Sequence, residues 1–333
     1  MRILQIANYQ EGVGGISVQV QLLRENLRNE GFTCDILSTK GGFLKRIHSV
    51  ITLLRKGNGY DVFHIHACSD RGFLPAVLGV SVGRLMNKQI VLTYHGGGAE
   101  SFLRRRAGFV KFFLKRVRHN IVLSGFVGEV FDRYGIQYSI IPNVLESSVN
   151  VFKERSVINP RFISIRSLTE TYNVECTLRA FRLVQERYPS AELTVLGDGP
   201  LRNSLMGYVN DHSIQHVFFV GQIPNSEIYQ YLDKADIMVS SSRFDNMPVS
   251  ILEGFRAGLL VVASNVGGVP YMIEDGWNGM LFESNNDKRM AERMIEAVEF
   301  QDASLRMIEN AHCSLEKYRW EHCREKLLKL YED

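Results

Sequence analysis

Residues 141–166, IPNVLESSVNVFKERSVINPRFISIR, decide how the chain is divided. An apolar run closes at Ile141-Pro142-Asn143. A polar stretch from Glu146 to Pro160 follows, with turn composition and little periodicity, and a strand-like run reopens at Arg161 to Arg166. A break of this kind between two patterned halves reads as an interdomain linker. On its amino-terminal side, apolar runs of strand length lie at Arg2 to Ala7, Thr33 to Ser38, Val62 to His66, Gln89 to Tyr94, Asn120 to Ser124 and Ser139 to Pro142. On its carboxyl side they recur at Glu192 to Gly197, Val217 to Gly221, Ile237 to Ser240 and Leu260 to Ser264. Amphipathic stretches of helical period separate them, so each half predicts an α/β, doubly wound, Rossmann-like parallel sheet covered on both faces.

The expected domains are residues 1–145 and 161–316, joined by a linker over 146–160. At 333 residues two domains are also what core size predicts. Open parallel sheets bind ligands at the carboxyl ends of their strands, so two such domains facing across a cleft would place function in the loops after the strands.

Composition is that of a globular chain, 45% hydrophobic and 23% charged, which excludes disordered and collagen-like classes. No short-period repeat or low-complexity tract is present. The first residues run directly into a strand pattern, with no export signal, and the longest uncharged stretch, Ala257 to Ile273, is broken by Ser264, Asn265, Gly267, Gly268 and Pro270. Five scattered cysteines without C-x-x-C spacing read as reduced thiols, mostly core fillers. A cytoplasmic location follows as the expectation. The first 150 residues carry 19 Lys or Arg against 10 Asp or Glu, and the remainder 20 against 26. That asymmetry points to an anionic partner for the first half, or serves solubility alone.

The segment Ser240-Ser241-Ser242-Arg243-Phe244-Asp245-Asn246-Met247-Pro248-Val249-Ser250-Ile251-Leu252-Glu253-Gly254-Phe255-Arg256-Ala257-Gly258 carries the most chemistry. A strand ends at the serines, Pro248 suits a first helical position, and Gly258 ends the helix. Free amides at such a helix start, with the helix dipole, bind phosphate. Asp245 and Glu253 would stand about 12 Å apart along a continuous helix, enough to hold two ends of one ligand. The same pair also suits a capping Asp and a solvated helix Glu.

This segment resembles the Glu, seven residues, Glu motif of the retaining family 4 glycosyltransferases of GT-B architecture. The resemblance runs in order over nearly the whole chain: Gly14-Gly15, Thr93-Tyr94-His95-Gly96, Ser124, Ile141-Pro142-Asn143, Arg166, Leu196-Gly197-Asp198-Gly199-Pro200, Asp245 to Gly258, Gly267-Gly268-Val269-Pro270 and Asp275-Gly276-Trp277-Asn278-Gly279. It implies that Glu253 bonds the donor ribose, Asp245 and Asn246 bond the donor sugar, and Arg166 neutralises the diphosphate leaving group. His95 would stand beside the sugar. Gly14 and Gly15 would let the backbone approach the diphosphate. Asn143, Gly197, Met247, Pro248 and Val249 complete the implied donor contacts. The donor would be a nucleotide sugar, UDP-linked by expectation, transferred with retention to a glycan or lipid-linked acceptor, with no cofactor and no metal. The helix Trp320 to Tyr331, within 317–333, resembles the family's closing helix that crosses back to the first domain.

Two positions depart from the family pattern. Asp245 stands where Glu is usual. The Lys that usually follows the Arg is missing from Ser167-Leu168-Thr169-Glu170-Thr171-Tyr172-Asn173-Val174. Tyr172 or Asn173 replaces it, or donor binding is weakened, or the protein is a catalytically reduced, non-catalytic partner.

His64 and His66 share one strand face, a two-ligand metal geometry without a third ligand in the sequence, or a polar cleft lining. Ser101 to Asn120 holds seven Lys or Arg and no acid. On a helix, Arg104, Lys111, Lys115 and Arg118 fall in one stripe beside Phe109, Phe112, Phe113 and Val117. The stripe suits acceptor contact or peripheral attachment to the anionic inner face of a membrane, at about 1 kcal/mol per basic residue, or a solvated helix face. No nucleic-acid-binding module is recognised. A competing reading is an NAD-dependent oxidoreductase, since Gly12-Val13-Gly14-Gly15-Ile16-Ser17 opens a helix and Asp35 is placed at the end of the next strand.

Overall fold

The computed structural model describes residues 1–12, 14–145 and 151–332, and the chain forms two compact units, Met1–Ser148 with Lys317–Asp333, and Val149–Glu316. In the first unit the elements run β1 (Arg2–Ala7), α1 (Gly15–Asn29), β2 (Thr33–Ser38), α2 (Phe43–Lys56), β3 (Val62–Ala67), α3 (Leu74–Leu85), β4 (Gln89–Tyr94), α4 (Ala99–Leu114), β5 (His119–Val122), α5 (Gly125–Arg133) and β6 (Ser139–Ile140). The second unit contains β7 (Arg161–Ile165), α6 (Val174–Arg187), β8 (Glu192–Leu196), α7 (Arg202–Asp211), β9 (Val217–Gly221), α8 (Ile228–Leu232), β10 (Ile237–Ser240), α9 (Val249–Arg256), β11 (Leu260–Ser264), β12 (Met280–Phe282), α10 (Asp287–Glu299) and α11 (Gln301–Cys313). The last helix, α12 (Trp320–Glu332), belongs to the first unit.

Each unit holds a six-stranded parallel sheet, ordered β2-β1-β3-β4-β5-β6 in the first and β12-β11-β10-β7-β8-β9 in the second. Helices cover both faces of such a sheet, which is why central strands are apolar on alternate and intervening positions alike. All six residues of β3 and all five of β11 are buried. The second core packs Phe162, Val195, Val239 and Val262 of the sheet against α6, with Phe181, and α10.

One face of the first sheet is closed by α12. Trp320, Cys323, Leu327, Leu330 and Tyr331 pack with Ile3, Leu27, Val62, Val91 and Ile121. Polar ties fix the helix at both ends: Trp320 Nε1 donates to Glu30 (3.0 Å), and Gln89 donates to the Leu330 carbonyl (3.0 Å).

Of the expected linker, residues 146–150 lie outside the described residues. Beyond them the chain is tied into the second unit by a buried arginine. Arg155 Nε bonds Asp236 Oδ1 (3.1 Å), while its other nitrogens donate to the carbonyls of Ala235 (2.7 Å), Ala257 (2.9 Å) and Gly258 (2.7 Å). Asp236 also accepts from Arg161. Burial lowers the Arg155 pKa, and the Asp236 charge opposes that shift.

Candidate functional site

Arg166, Gly197, Asp245 and Asn246 in the second unit, and Gly14 and His95 in the first, follow the carboxyl ends of strands, where parallel sheets present their ligand-binding loops. In the second unit, Arg166 is the first residue past β7. Its backbone N–H donates to the Leu196 carbonyl (3.0 Å), and Nε and Nη2 donate to Ser240 Oγ (3.2 and 2.9 Å). Nη2 lies 3.4 Å from Asp245 Oδ2, and the guanidinium stands 5.4 Å from the Tyr172 ring centre. Only 8% of the Arg166 side chain is exposed, so the cation is oriented by bonds rather than by solvent.

Gly197 makes this placement possible. Its φ is +128°, and a Cβ there would sit 2.0 Å from the Arg166 carbonyl oxygen. No residue with a side chain fits between the ends of β7 and β8 in this arrangement.

Asp245 Oδ1 accepts from the Asn246 amide (3.0 Å). Burial raises the Asp245 pKa, opposed by the Arg166 charge and by hydrogen bonds from Asn246 and Ser242. Asn246, Met247 and Pro248 are buried; Pro248 is the cap and α9 begins at Val249. Glu253, 7% exposed on α9, is pushed up to about 7 by burial, opposed by the charges of Arg166 and Arg256.

The chain is helical only from Val249, so the helical spacing assumed for Asp245 and Glu253 does not hold. Asp245 sits in the turn before the helix, tied by its carbonyl to the Gly268 amide (3.1 Å), and the Arg166 charge acts on both carboxyls. One cation whose charge acts on both acids replaces two anchors on one rod.

At the position of the absent Lys, Tyr172 faces Arg166, whereas the Asn173 side chain is engaged elsewhere. Asn173 adopts a left-handed φ of +50° at the cap of α6, its amide nitrogen bonds Asn285 (3.0 Å), and its oxygen accepts from Arg243 Nη2 (3.3 Å). Arg243 is the residue that sequence reading passed over. It is held against this loop by Asn285 (3.0 Å to Nε) and by its own amide on the Thr171 carbonyl (2.8 Å). It lies inside the motif in sequence, but only the fold brings it beside residues 171–173.

In the first unit, His95 follows β4, with its amide on the Ala67 carbonyl (2.8 Å). Its Nε2 meets His66 Nδ1 at 3.0 Å, and His66 Nε2 meets Gln5 Oε1 at 2.9 Å. The Gln5 amide nitrogen is occupied by the Val20 carbonyl and the Cys34 sulfur, so its oxygen must face His66. His66 Nε2 therefore carries its proton, His66 Nδ1 accepts, His95 Nε2 donates, and the unprotonated nitrogen of His95 is Nδ1. Burial lowers all three histidines, His64 to about 3 and His95 to about 4, so each is neutral at pH 7.

His64 stacks on His66 with ring centres 4.4 Å apart and bonds Tyr331 Oη (2.6 Å) and Thr93 Oγ1 (2.8 Å). The fold thus supplies a third histidine near the pair found by spacing. Both nitrogens of His64 and of His66 have neutral partners, and no cluster suited to a metal occurs among the described residues. Gly14 takes φ +81° and Gly15 opens α1, while Val13 lies outside the described residues. Asn143 is buried, next to Val144, which exchanges two hydrogen bonds with Gln19.

Two expectations are corrected. Asp35 lies inside β2 and is bound by Arg28 (2.9 Å) and Tyr60 (2.9 Å), so it does not end the strand as a dinucleotide-binding acid must. Arg104, Lys111, Lys115 and Arg118 do not form one helical stripe. α4 is interrupted at Arg106 (φ −139°, ψ 36°) and stops at Leu114, and the Arg118 amide joins the sheet through the Ile90 carbonyl (2.8 Å).

The profile described as Glycosyl transferases group 1 matches residues 151–313, and that described as Glycosyltransferase Family 4 matches residues 43–148. An uncharacterized glycosyltransferase of Methanocaldococcus jannaschii is 22% identical over 100% of this chain and 98% of its own. The alpha-monoglucosyldiacylglycerol synthase of Streptococcus pneumoniae is 23% identical over 86% of this chain and 75% of its own. Among solved structures, Anabaena HepE in complex with UDP and glucose superposes with TM-score 0.79 at 16% identity, covering 100% of this chain and 99% of that one. Sucrose-phosphate synthase from Thermosynechococcus elongatus gives TM-score 0.82 at 17% identity, over 99% and 98%.

Proposed function

The chain belongs to the family 4 glycosyltransferases of GT-B type, and from that premise we propose that it transfers a sugar, with retained anomeric configuration, from a nucleotide diphosphate donor to a glycan or lipid-linked acceptor. One observation carries the donor reading: the oriented, nearly buried Arg166, 3.4 Å from Asp245, whose charge also acts on the Glu253 carboxyl. A preset cation beside the start of α9 meets the charge that grows on a departing diphosphate. Glu253, ionised only at a cost, recovers that cost by accepting hydrogen bonds from ribose hydroxyls, and Asp245 with Asn246 takes the sugar hydroxyls.

Neutral His95, oriented by His66 and Gln5, stands beside the sugar. Gly14 and Gly15 permit close backbone approach to the diphosphate. Arg243 supplies the second cation where the family Lys is missing, which favours an active enzyme over a non-catalytic relative. With positive side chains and helix amides in that role, transfer proceeds without a divalent ion. The complexes of HepE with UDP, glucose and UDP-glucose support a UDP-sugar donor, and the glycolipid synthase among the relatives supports an acceptor at a membrane surface.

The test is a thermal shift panel of UDP-, GDP-, ADP- and dTDP-sugars with NADH, using Glu253→Ala and Arg166→Ala as controls. At ligand about 100-fold above Kd, the donor contributes about 2.7 kcal/mol and raises the midpoint; both variants abolish that rise. Turnover of the stabilising donor with chelator present checks metal independence. Stabilisation by NADH alone, or by none of the sugars, would refute the donor reading, and binding without turnover would establish the non-catalytic one.

A further inference from the structure

Helix α2 carries an apolar stripe that its own fold does not use. Over Phe43–Lys56 only Ser49 and Leu53 are buried, whereas Phe43 is 77% and Leu44 80% exposed, and Ile47, Ile51 and Leu54 are each at least 40% exposed. At about 100° per residue these five side chains share an arc of about 100°, set apart from the buried face. Lys45, Arg46, Arg55 and Lys56 are the charged residues of the helix, and it contains no acid. Arg55 and His48 flank the stripe on one side and Arg46 on the other.

The patch continues beyond the helix. A pocket of about 490 Å³ is lined by Arg46 of α2, by Arg71, Phe73 and Leu74 before and at the start of α3, and by Arg106 and Phe109 of α4. Its one acid, Asp70, is held by Arg105 through both carboxylate oxygens (2.9 and 3.1 Å). The pocket therefore presents arginine over an apolar floor, and the exposed rings of Phe109 and Phe112 extend the surface.

We propose that α2 is an interfacial anchor that lies in the headgroup layer of an anionic lipid bilayer, with Phe43, Leu44, Ile47, Ile51 and Leu54 inserted and the arginine-lined pocket facing the lipid phosphates. Charge selects this occupant. An apolar stripe between cations, on a helix without acids, matches the boundary between acyl chains and negative headgroups. The inference deepens the reading of a membrane-side acceptor and replaces the broken basic stripe of residues 104–118, yet it depends on lipid binding alone and not on transfer.

Flotation with vesicles of phosphatidylcholine, and of phosphatidylcholine mixed with phosphatidylglycerol, tests it on the full chain. The wild type floats with the anionic vesicles and not with the neutral ones, and binding falls on the order of tenfold between low and high salt as the charges are screened. Phe43→Ser with Leu44→Ser lowers vesicle binding by at least about tenfold. Because both side chains are exposed, the thermal midpoint and any donor-induced shift stay unchanged. Lys45→Gln, Arg46→Gln, Arg55→Gln and Lys56→Gln together remove the preference for anionic lipid. Equal binding to both vesicles, full binding by the Phe43 and Leu44 variant, or a concentration-dependent dimer abolished by that variant in place of vesicle binding would each overturn the proposal. A donor shift that fails while flotation succeeds would count against the transferase reading and leave the anchor standing.

Discussion

Glu253→Gln should make the ligand-free protein more stable while weakening its donor binding. Burial raises the Glu253 carboxyl from 4.5 to about 7. Ionising it inside the fold at pH 8 therefore costs about 3 kcal/mol relative to the unfolded chain. Since the folded value is the higher one, the folded state holds a proton that the unfolded state has released between about pH 4.5 and 7. Stability is lost as pH rises through that window, and the loss is complete above it. Gln removes this cost but buries an amide worth roughly 1 kcal/mol, leaving a net gain of about 2 kcal/mol at pH 8 that vanishes near pH 5 and turns into a loss of up to about 1 kcal/mol below it. For a unit of this size the gain corresponds to a midpoint rise of about 4–8 °C. Calorimetry of both proteins at pH 5 and pH 8, without ligand, reads the effect directly. The neutral side chain should also weaken the donor complex about tenfold, through loss of a charge-assisted bond. An unchanged or lower midpoint at pH 8, with the wild-type pH slope retained, would refute the claim that this carboxyl is held in the fold at a cost.

Gly197→Ala should lower the midpoint by at least about 6 °C and abolish donor stabilisation, because the added carbon forces the Arg166 carbonyl away from a 2.0 Å approach. A change within about 2 °C would show that the loop yields freely. Arg155→Met should cost about 3–5 kcal/mol in urea unfolding, since buried Asp236 and five carbonyls lose this donor together. A loss below about 1 kcal/mol would mean that Arg161 and solvent satisfy those groups unaided.

The sheet strands were legible because a parallel sheet writes itself as short apolar runs. Arg2–Ala7, Thr33–Ser38, Gln89–Tyr94, Val217–Gly221, Ile237–Ser240 and Leu260–Ser264 have the limits that the runs suggest. β12 escaped because three residues, Met280–Phe282, are too few to show a period. Boundaries drifted where a polar residue takes another duty: the run Asn120 to Ser124 reads as one strand, yet Ser124 is the cap of α5. The pattern shows which residue types alternate but not which charges meet. Arg155 reads as a solvated residue of a polar stretch and is a buried hub. The Gln5–His66–His95 chain joins β1, the end of β3 and the loop after β4, and no spacing rule links those positions. In α2, apolar residues at helical spacing look the same whether they face a core or nothing within the chain.

The place of α12 in the first unit sets an order on biosynthesis. Ile3, Val62, Val91 and Ile121 emerge early, but the side chains that cover them, from Trp320 to Tyr331, are made only after the second unit. Between them the ribosome must produce all of residues 149–316. At about 5–20 residues per second, that interval is on the order of ten seconds. During it the nascent first sheet offers an open apolar face, while the second unit, continuous in sequence, can fold as it appears. The unit whose translation starts first is thus completed after the other, and the codons for residues 320–331 govern whether it closes.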